Sequence, residues 1–192
     1  MKPFFCLLTL LLLVSCKSTS LTPINTGSDP TWAGKQKYEV LVAVLAYTPE
    51  LRVKFENEMA EQLKKEGVNA IPSFTVMPSV TALNGETFSR FLEAGPSLAV
   101  LFVQAKDVQK QQTSSKTEEP NAFSSLFGGG EWDTTFVAMM ETALYVHGQS
   151  AAVWWNRVRM EASEKKVDDV VERYVLNTVK AMKQGGAISR LK

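Results

Sequence analysis

YEVLVAVLAYTPELRVKFENEMAEQLKKEG, residues 38–67, is the stretch that decides the fold. Tyr38 to Ala46 is a β-branched apolar run with little alternation, the pattern of a strand buried on both faces of a sheet. Thr48-Pro49-Glu50 then supplies a capping hydroxyl, a proline at the first helical position and an acid in the first turn, so a helix starts there. Leu51, Phe55, Met59 and Leu63 recur at spacing four along one side, charged residues fill the other, and Gly67 stands where a left-handed residue ends the helix. A buried strand leading straight into an amphipathic helix opens a mixed α/β domain.

Downstream the alternation continues. Ala70 to Met77 reads as a second strand, which Pro72 restricts to a sheet edge. Asn84 is placed to cap a short helix carrying Phe88, Phe91 and Leu92, stopped by Gly95-Pro96. Leu98 to Val103 is another buried strand, running on in more polar form to about Asp107. Gln109 to Asp133, rich in Gln, Ser, Glu and Gly, is expected to be a flexible loop. Thr134 to His147 and Ala151 to Ala162 form a hairpin around Gly148-Gln149-Ser150. In its second strand Trp154, Asn156, Val158, Met160 and Ala162 share one face, while Val153, Trp155, Arg157, Arg159 and Glu161 take the other. Ser163 is placed to cap a last helix in which Val167, Val170, Val171, Tyr174, Val175, Thr178, Val179 and Met182 fall at helical spacing before Gly185-Gly186. The expected domain is α/β (α+β): a single mixed β-sheet of about five strands packed with three helices, in the order strand, helix, strand, helix, strand, hairpin, helix.

Ahead of this domain, Lys2 and the apolar run Phe4 to Val14 have the form of an export signal. A spanning helix needs about 20 apolar residues, roughly twice what this run offers. Leu13-Val14-Ser15-Cys16 resembles the bacterial lipobox closely. That resemblance implies cleavage after residue 15, a diacylglyceryl thioether on Cys16 and acylation of its amine. Two or three acyl chains hold a protein firmly at a membrane, where one holds only marginally. Residues 1–15 are thus read as a lipoprotein signal peptide, 16–37 as a lipidated N-terminus and flexible tether, and 38–192 as one domain with a flexible loop at 109–133. Cys6 leaves with the signal, so the mature chain keeps Cys16 alone and has no disulfide, no cysteine-based zinc site and no thiol nucleophile. Of 21 Lys+Arg and 20 Asp+Glu only Lys2 lies in the signal, so the mature chain is balanced in charge. It has no footprint for nucleic acid or for an anionic lipid surface.

The residues that could carry chemistry have plainer readings beside them. His147 is the single histidine, set in a turn beside Gly148 with no Gly-x-Ser-x-Gly elbow in the chain, and reads as a solvated turn residue rather than a general base or metal ligand. Glu56, Glu58 and Glu61, and again Asp168, Asp169 and Glu172, could pair for acid–base work, but each set is expected on the solvated side of a helix. Gly128-Gly129-Gly130 lacks the lysine and hydroxyl of a phosphate cradle. Trp155, Arg157 and Arg159 have the composition of a protein-contact patch, or of core and rim if a helix covers that face. Phe123, Phe127 and Trp132 pose the same choice within the loop, between folding back and meeting a partner. The expectation is no enzyme, no cofactor and no metal.

Several of these stretches together resemble a family of small, uncharacterised, single-domain bacterial lipoproteins. They are Asp29-Pro30-Thr31-Trp32-Ala33-Gly34, the Val40 to Leu45 strand, Arg52-Val53-Lys54-Phe55-Glu56, Ala70-Ile71-Pro72-Ser73 and Val153-Trp154. The layout is also similar to the α/β domain of peptidoglycan-synthase activators, curli-secretion lipoproteins and the N-terminal part of the Tol translocation protein. That resemblance implies a non-catalytic envelope protein binding a periplasmic or outer-membrane protein partner; a small-ligand or lipid-binding component of an envelope transport system is the alternative. Lys17 after the lipidated cysteine, in the sorting pattern of enterobacterial lipoproteins, implies the periplasmic face of the outer membrane.

Overall fold

The computed structural model describes residues 20–32, 38–46, 48–79, 82–114, 132–163 and 166–188. Strands β1 (Ser20–Ser28), β2 (Glu39–Leu45), β3 (Asn69–Pro72), β4 (Leu98–Ser114), β5 (Trp132–Val146) and β6 (Trp154–Ser163) form one sheet in the order β1-β6-β5-β4-β2-β3. Helices α1 (Pro49–Lys65), α2 (Gly85–Glu93) and α3 (Val167–Gln184) pack on it. The β2–β3 and β2–β4 ladders are parallel, and the other three are antiparallel. The expected mixed sheet with three helices is the fold observed, with six strands rather than about five.

The sixth strand is β1, and it corrects the reading of residues 16–37 as a tether. Its sequence, SLTPINTGS, is polar because the strand is an edge whose residues are largely exposed; ladder bonds to β6 hold it, with Leu21 packed against the core and Thr26 Oγ1 donating to Asn156 Oδ1. Pro23 is tolerated at an edge because its missing donor is not needed on the outer side, and the register shifts between Pro23 and Asn25. The loop reading of 109–133 is corrected likewise. The β4–β5 ladder continues to Ser114↔Trp132, and what is left of that stretch, residues 115–131, lies outside the described residues. Gln109, Lys110 and Gln111 carry no alternation because their stretch of strand projects past the core and is wet on both sides.

α1 starts as the sequence predicts, with Leu51 N–H donating to Thr48 Oγ1 at 3.2 Å, and ends at Gly67 with φ 83°. α2 is capped by Asn84, whose Oδ1 accepts from Thr87 N–H at 3.0 Å. α3 differs: Ser163 closes β6 instead of capping, and the helix begins after Lys166 without a side-chain cap.

α1 and α3 cover one face of the sheet. Their contact is built from Phe55 against Tyr174, edge to face at 5.5 Å between centroids, and from Met59, Leu63, Val175 and Met182, all buried with Val42, Leu101, Leu144 and Trp154 beneath them. Trp154 is fully buried; a Cβ at Gly185 would stand 2.8 Å from its Nε1, so α3 can end this close to the ring only with a glycine there. α2 covers part of the opposite face, with Phe88 against Phe102 and Leu41, Ala43 and Val100 below.

One expectation about α1 is overturned. The charge pattern puts Arg52 and Glu56 on the solvated side, yet they are 2% and 0% exposed. β3 ends at Pro72, so Val44 N–H has no strand to bond; Glu56 Oε1 accepts it at 3.0 Å. The same carboxylate accepts from Arg52 Nε at 2.9 Å, Ser73 Oγ at 2.7 Å and Phe74 N–H at 2.8 Å. Arg52 in turn donates to the carbonyls of Met77 and Pro78. This network stops β3 short of the expected Met77 and turns the chain into a 3-10 turn at Ser73–Thr75. Satisfying every buried polar group is what makes such a pair tolerable.

Candidate functional site

The helices leave the β5-β6-β1 part of the second sheet face, and β4 beyond Phe102, open among the described residues. The register places three rows across it: Gly27, Trp155, Ala143, Phe102; then Asn25, Arg157, Glu141, Gln104; then Thr22, Arg159, Met139, Lys106.

Among the described residues no helix covers Trp155, and it is 41% exposed, which favours the exposed side of the choice left open for it. Its ring lies over Gly27, where a Cβ would stand 2.2 Å from the indole, so only glycine on β1 leaves room for it. Ala143 flanks it on the other side. A large ring between two small residues lies along the sheet and keeps one side toward solvent.

Beside it, Glu141 is held by Arg157 NH2 at 2.6 Å and Lys106 Nζ at 2.7 Å, with Gln104 Nε2 donating at 3.3 Å. The Lys106 hydrogen bond, aided by Arg157 and opposed by partial burial, holds the Glu141 carboxyl below the ordinary carboxylate range. Two cations share one carboxylate, so the cluster is net positive. With Phe102, Tyr145, Ala152, Asn156 and Trp155 it lines an open cleft of about 300 Å³.

Sequence reasoning found Trp155 and Arg157 and missed Glu141 and Lys106. Glu141 had a signal: it is the lone ionisable residue between Thr134 and Tyr145, and such a charge within an apolar strand needs a partner. Lys106 had none, because only the β4–β5 register sets it diagonally across from Glu141. Arg159 lies one row away, exposed. Trp132 opens β5 and is described through its backbone alone, while Cys16, Phe123, Phe127 and Gly128-Gly129-Gly130 lie outside the described residues.

His147 is exposed in the turn after β5, its Nδ1 2.6 Å from the Leu92 carbonyl oxygen. Asp169 and Glu172 are exposed on α3, as a solvated face requires. Among the described residues no three His, Cys, Asp or Glu side chains gather as a metal site, and no helix is long and apolar enough to cross a membrane.

No protein-family model matches the sequence, and a search of curated proteins finds no relative. Solved structures with a similar chain path include a PelC dodecamer from Paraburkholderia phytofirmans, with 12% identity, a TM-score of 0.49, and coverage of 91% of this chain and 100% of that one. A methionine-substituted variant of the PelC dodecamer from the same organism has 14% identity and a TM-score of 0.48, over 90% of this chain and 100% of that one. Lipoprotein GNA1162 from Neisseria meningitidis has 11% identity and a TM-score of 0.43, over 76% and 97%. All three scores lie below 0.5.

Proposed function

We propose that this chain is a non-catalytic envelope lipoprotein, anchored through lipid on Cys16 at the periplasmic face of the outer membrane, whose domain binds another envelope protein through its open sheet face. The observation that carries the reading is Trp155, exposed over Gly27 beside the Arg157–Glu141–Lys106 cluster. Tryptophan and arginine at the centre of a patch are the residues that dominate binding energy. The surplus positive charge suits a partner surface that presents carboxylates. The alternative, a small-ligand or lipid carrier, would have to use a surface cleft, either this one or that of about 370 Å³ lined by Gln62, Glu66, Leu176 and Lys183 between α1 and α3, because the space between sheet and helices is filled by Trp154, Tyr174, Met59, Leu63, Leu101 and Met182.

Two measurements test this. Cys16→Ser should abolish labelling by a palmitate analogue and release the domain from membranes; continued membrane association of a cleaved, unlabelled chain would remove the anchor. A photo-reactive residue in place of Trp155 should cross-link one envelope protein in cells, and Arg157→Glu should abolish that adduct at an unchanged thermal midpoint. Cross-linking that ignores Arg157→Glu would move the partner surface elsewhere.

A further inference from the structure

We propose that the part of the β4–β5 hairpin that projects beyond the core, Val108–Ser114 with Trp132–Phe136, is the membrane-facing end of the domain and lies against the lipid headgroups of the membrane that holds Cys16. The proposal rests on the lipid anchor proposed above and goes beyond it, fixing how the domain stands.

Lys17, Ser18 and Thr19 alone separate Cys16 from the first residue of β1. Whatever their conformation, covalent geometry limits the reach from Ser20 to Cys16 to about 14 Å. The domain is therefore held against the membrane by its Ser20 end.

The register shows what else lies at that end. Ser20 pairs with Glu161, Glu161 with Val137, and Val137 with Gln109. β1 and β5 each run antiparallel to β6, so β5 points the same way as β1 and starts at the same end. From the Val137–Gln109 level the hairpin continues to Ser114 and Trp132, about 17 Å at the rise of a strand. Two strand-to-strand twists turn β5 about 45° from β1, which still leaves about 12 Å of projection along the direction in which the chain leaves for Cys16. The tip therefore reaches about as far as the anchor does.

β2 pairs with β4 only as far as Gln104, so the outer edge of β4 is uncovered beyond that point among the described residues. There the ladder is interrupted between Lys106 and Gln109, with Asp107 at φ 52° and Val108 60% exposed. A bulge and lysines on an edge guard it against pairing with a further strand, which argues against a protein strand as its occupant. Lys110 Nζ stands 5.9 Å from the centre of the half-buried Phe136 ring. An ammonium over an aromatic ring joins a cation to an apolar group, the kind of side-chain pair that a headgroup layer accommodates. β1, the other edge, carries neither a charged nor an aromatic residue.

The test uses the full lipidated chain in phosphatidylethanolamine–phosphatidylglycerol vesicles. Because Cys16 is acylated and Cys6 is removed, Val108→Cys, Ile24→Cys and Gln149→Cys each supply a single free thiol for a bimane label, at three exposed positions. The Val108 label should be quenched by nitroxide-bearing lipid and shielded from iodide, and the Gln149 label, in the turn at the opposite end, should behave in reverse. Inserting about twelve Gly/Ser residues before Ser20, roughly 40 Å of added reach, should abolish the difference. Equal iodide access at Val108 and Gln149 overturns the proposal, as does stronger lipid quenching at Ile24, which would lay the β1 edge on the membrane. Contact that survives the insertion overturns the short link as its cause. Protein that never joins the vesicles overturns the anchor reading itself, a result distinct from every labelling pattern.

Discussion

Trp154 and Trp155 are adjacent in sequence and opposite in circumstance. Trp154 points to the α1–α3 side, is fully buried and sits under the end of α3, against Gly185. Trp155 points to the open side and rests on Gly27 with 41% of its surface in water. Each ring requires a glycine, but for different ends: Gly185 lets a helix close over the core, and Gly27 lets an aromatic side chain lie along an uncovered sheet. The two faces of this sheet therefore have separate roles. One side buries Tyr174, Met59 and Leu63 and supplies stability; the other gathers Trp155, Arg157, Glu141 and Lys106 on an open face, the surface proposed above to meet a partner.

The difference should be largest in a pair of alanine substitutions. Trp154→Ala should cost about 3–5 kcal/mol, a fall in thermal midpoint on the order of 10 °C for a domain of this size. Trp155→Ala should cost under about 1 kcal/mol, as surface substitutions do away from special features, and should act on partner capture instead. Equal falls in midpoint for the two would erase the division between the faces.

A buried charge sharpens the comparison, since the covered side also holds the Arg52–Glu56 pair. Glu56→Gln leaves the Arg52 guanidinium buried without its counter-charge and should destabilise by about 3 kcal/mol in urea unfolding. Adding Arg52→Met should not restore the loss, because Val44 N–H and Phe74 N–H also depend on the Glu56 carboxylate. Full recovery in the double variant would show that the single amide oxygen of glutamine satisfies both backbone donors.

pH should separate the faces as well. Burial raises the Tyr174 hydroxyl from 10.0 to about 12, outweighing its hydrogen bond with Thr142. A raised folded-state value means stability that is complete below pH 10 and lost as pH climbs toward about 12, on the order of 2 kcal/mol by linkage. Tyr174→Phe should remove that alkaline loss from a series of urea midpoints, and an unchanged profile would refute the assignment. Glu141 has the opposite sign: its carboxyl is depressed, so the ionised form stabilises above its ordinary value of 4.5, and the contribution fades as pH falls through the lower folded-state value. Being a surface cluster, it should contribute under about 1 kcal/mol. Glu141→Gln should flatten the acid limb by that small amount, the least of the effects expected here.

The parts of this protein legible in the sequence are those where one residue's local chemistry decides the outcome. Thr48 and Asn84 cap helices because a side-chain oxygen reaches a free N–H two or three residues on, and Gly67 ends one because a left-handed backbone favours glycine. The alternation of β6 follows from the two-residue period of a strand, which is why Trp154 and Trp155 could be assigned to opposite faces. Tertiary structure alone decided which face is open, because that depends on where α2 lands after its connection. It alone made SLTPINTGS a strand and extended β4 through KQQTS, since edge and projecting strands are held by a neighbour's backbone and leave little pattern in their side chains. It also buried Arg52 and Glu56, whose i, i+4 spacing on a helix is equally that of a solvated ion pair until the short β3 leaves Val44 N–H and the Ser73 turn in want of an acceptor.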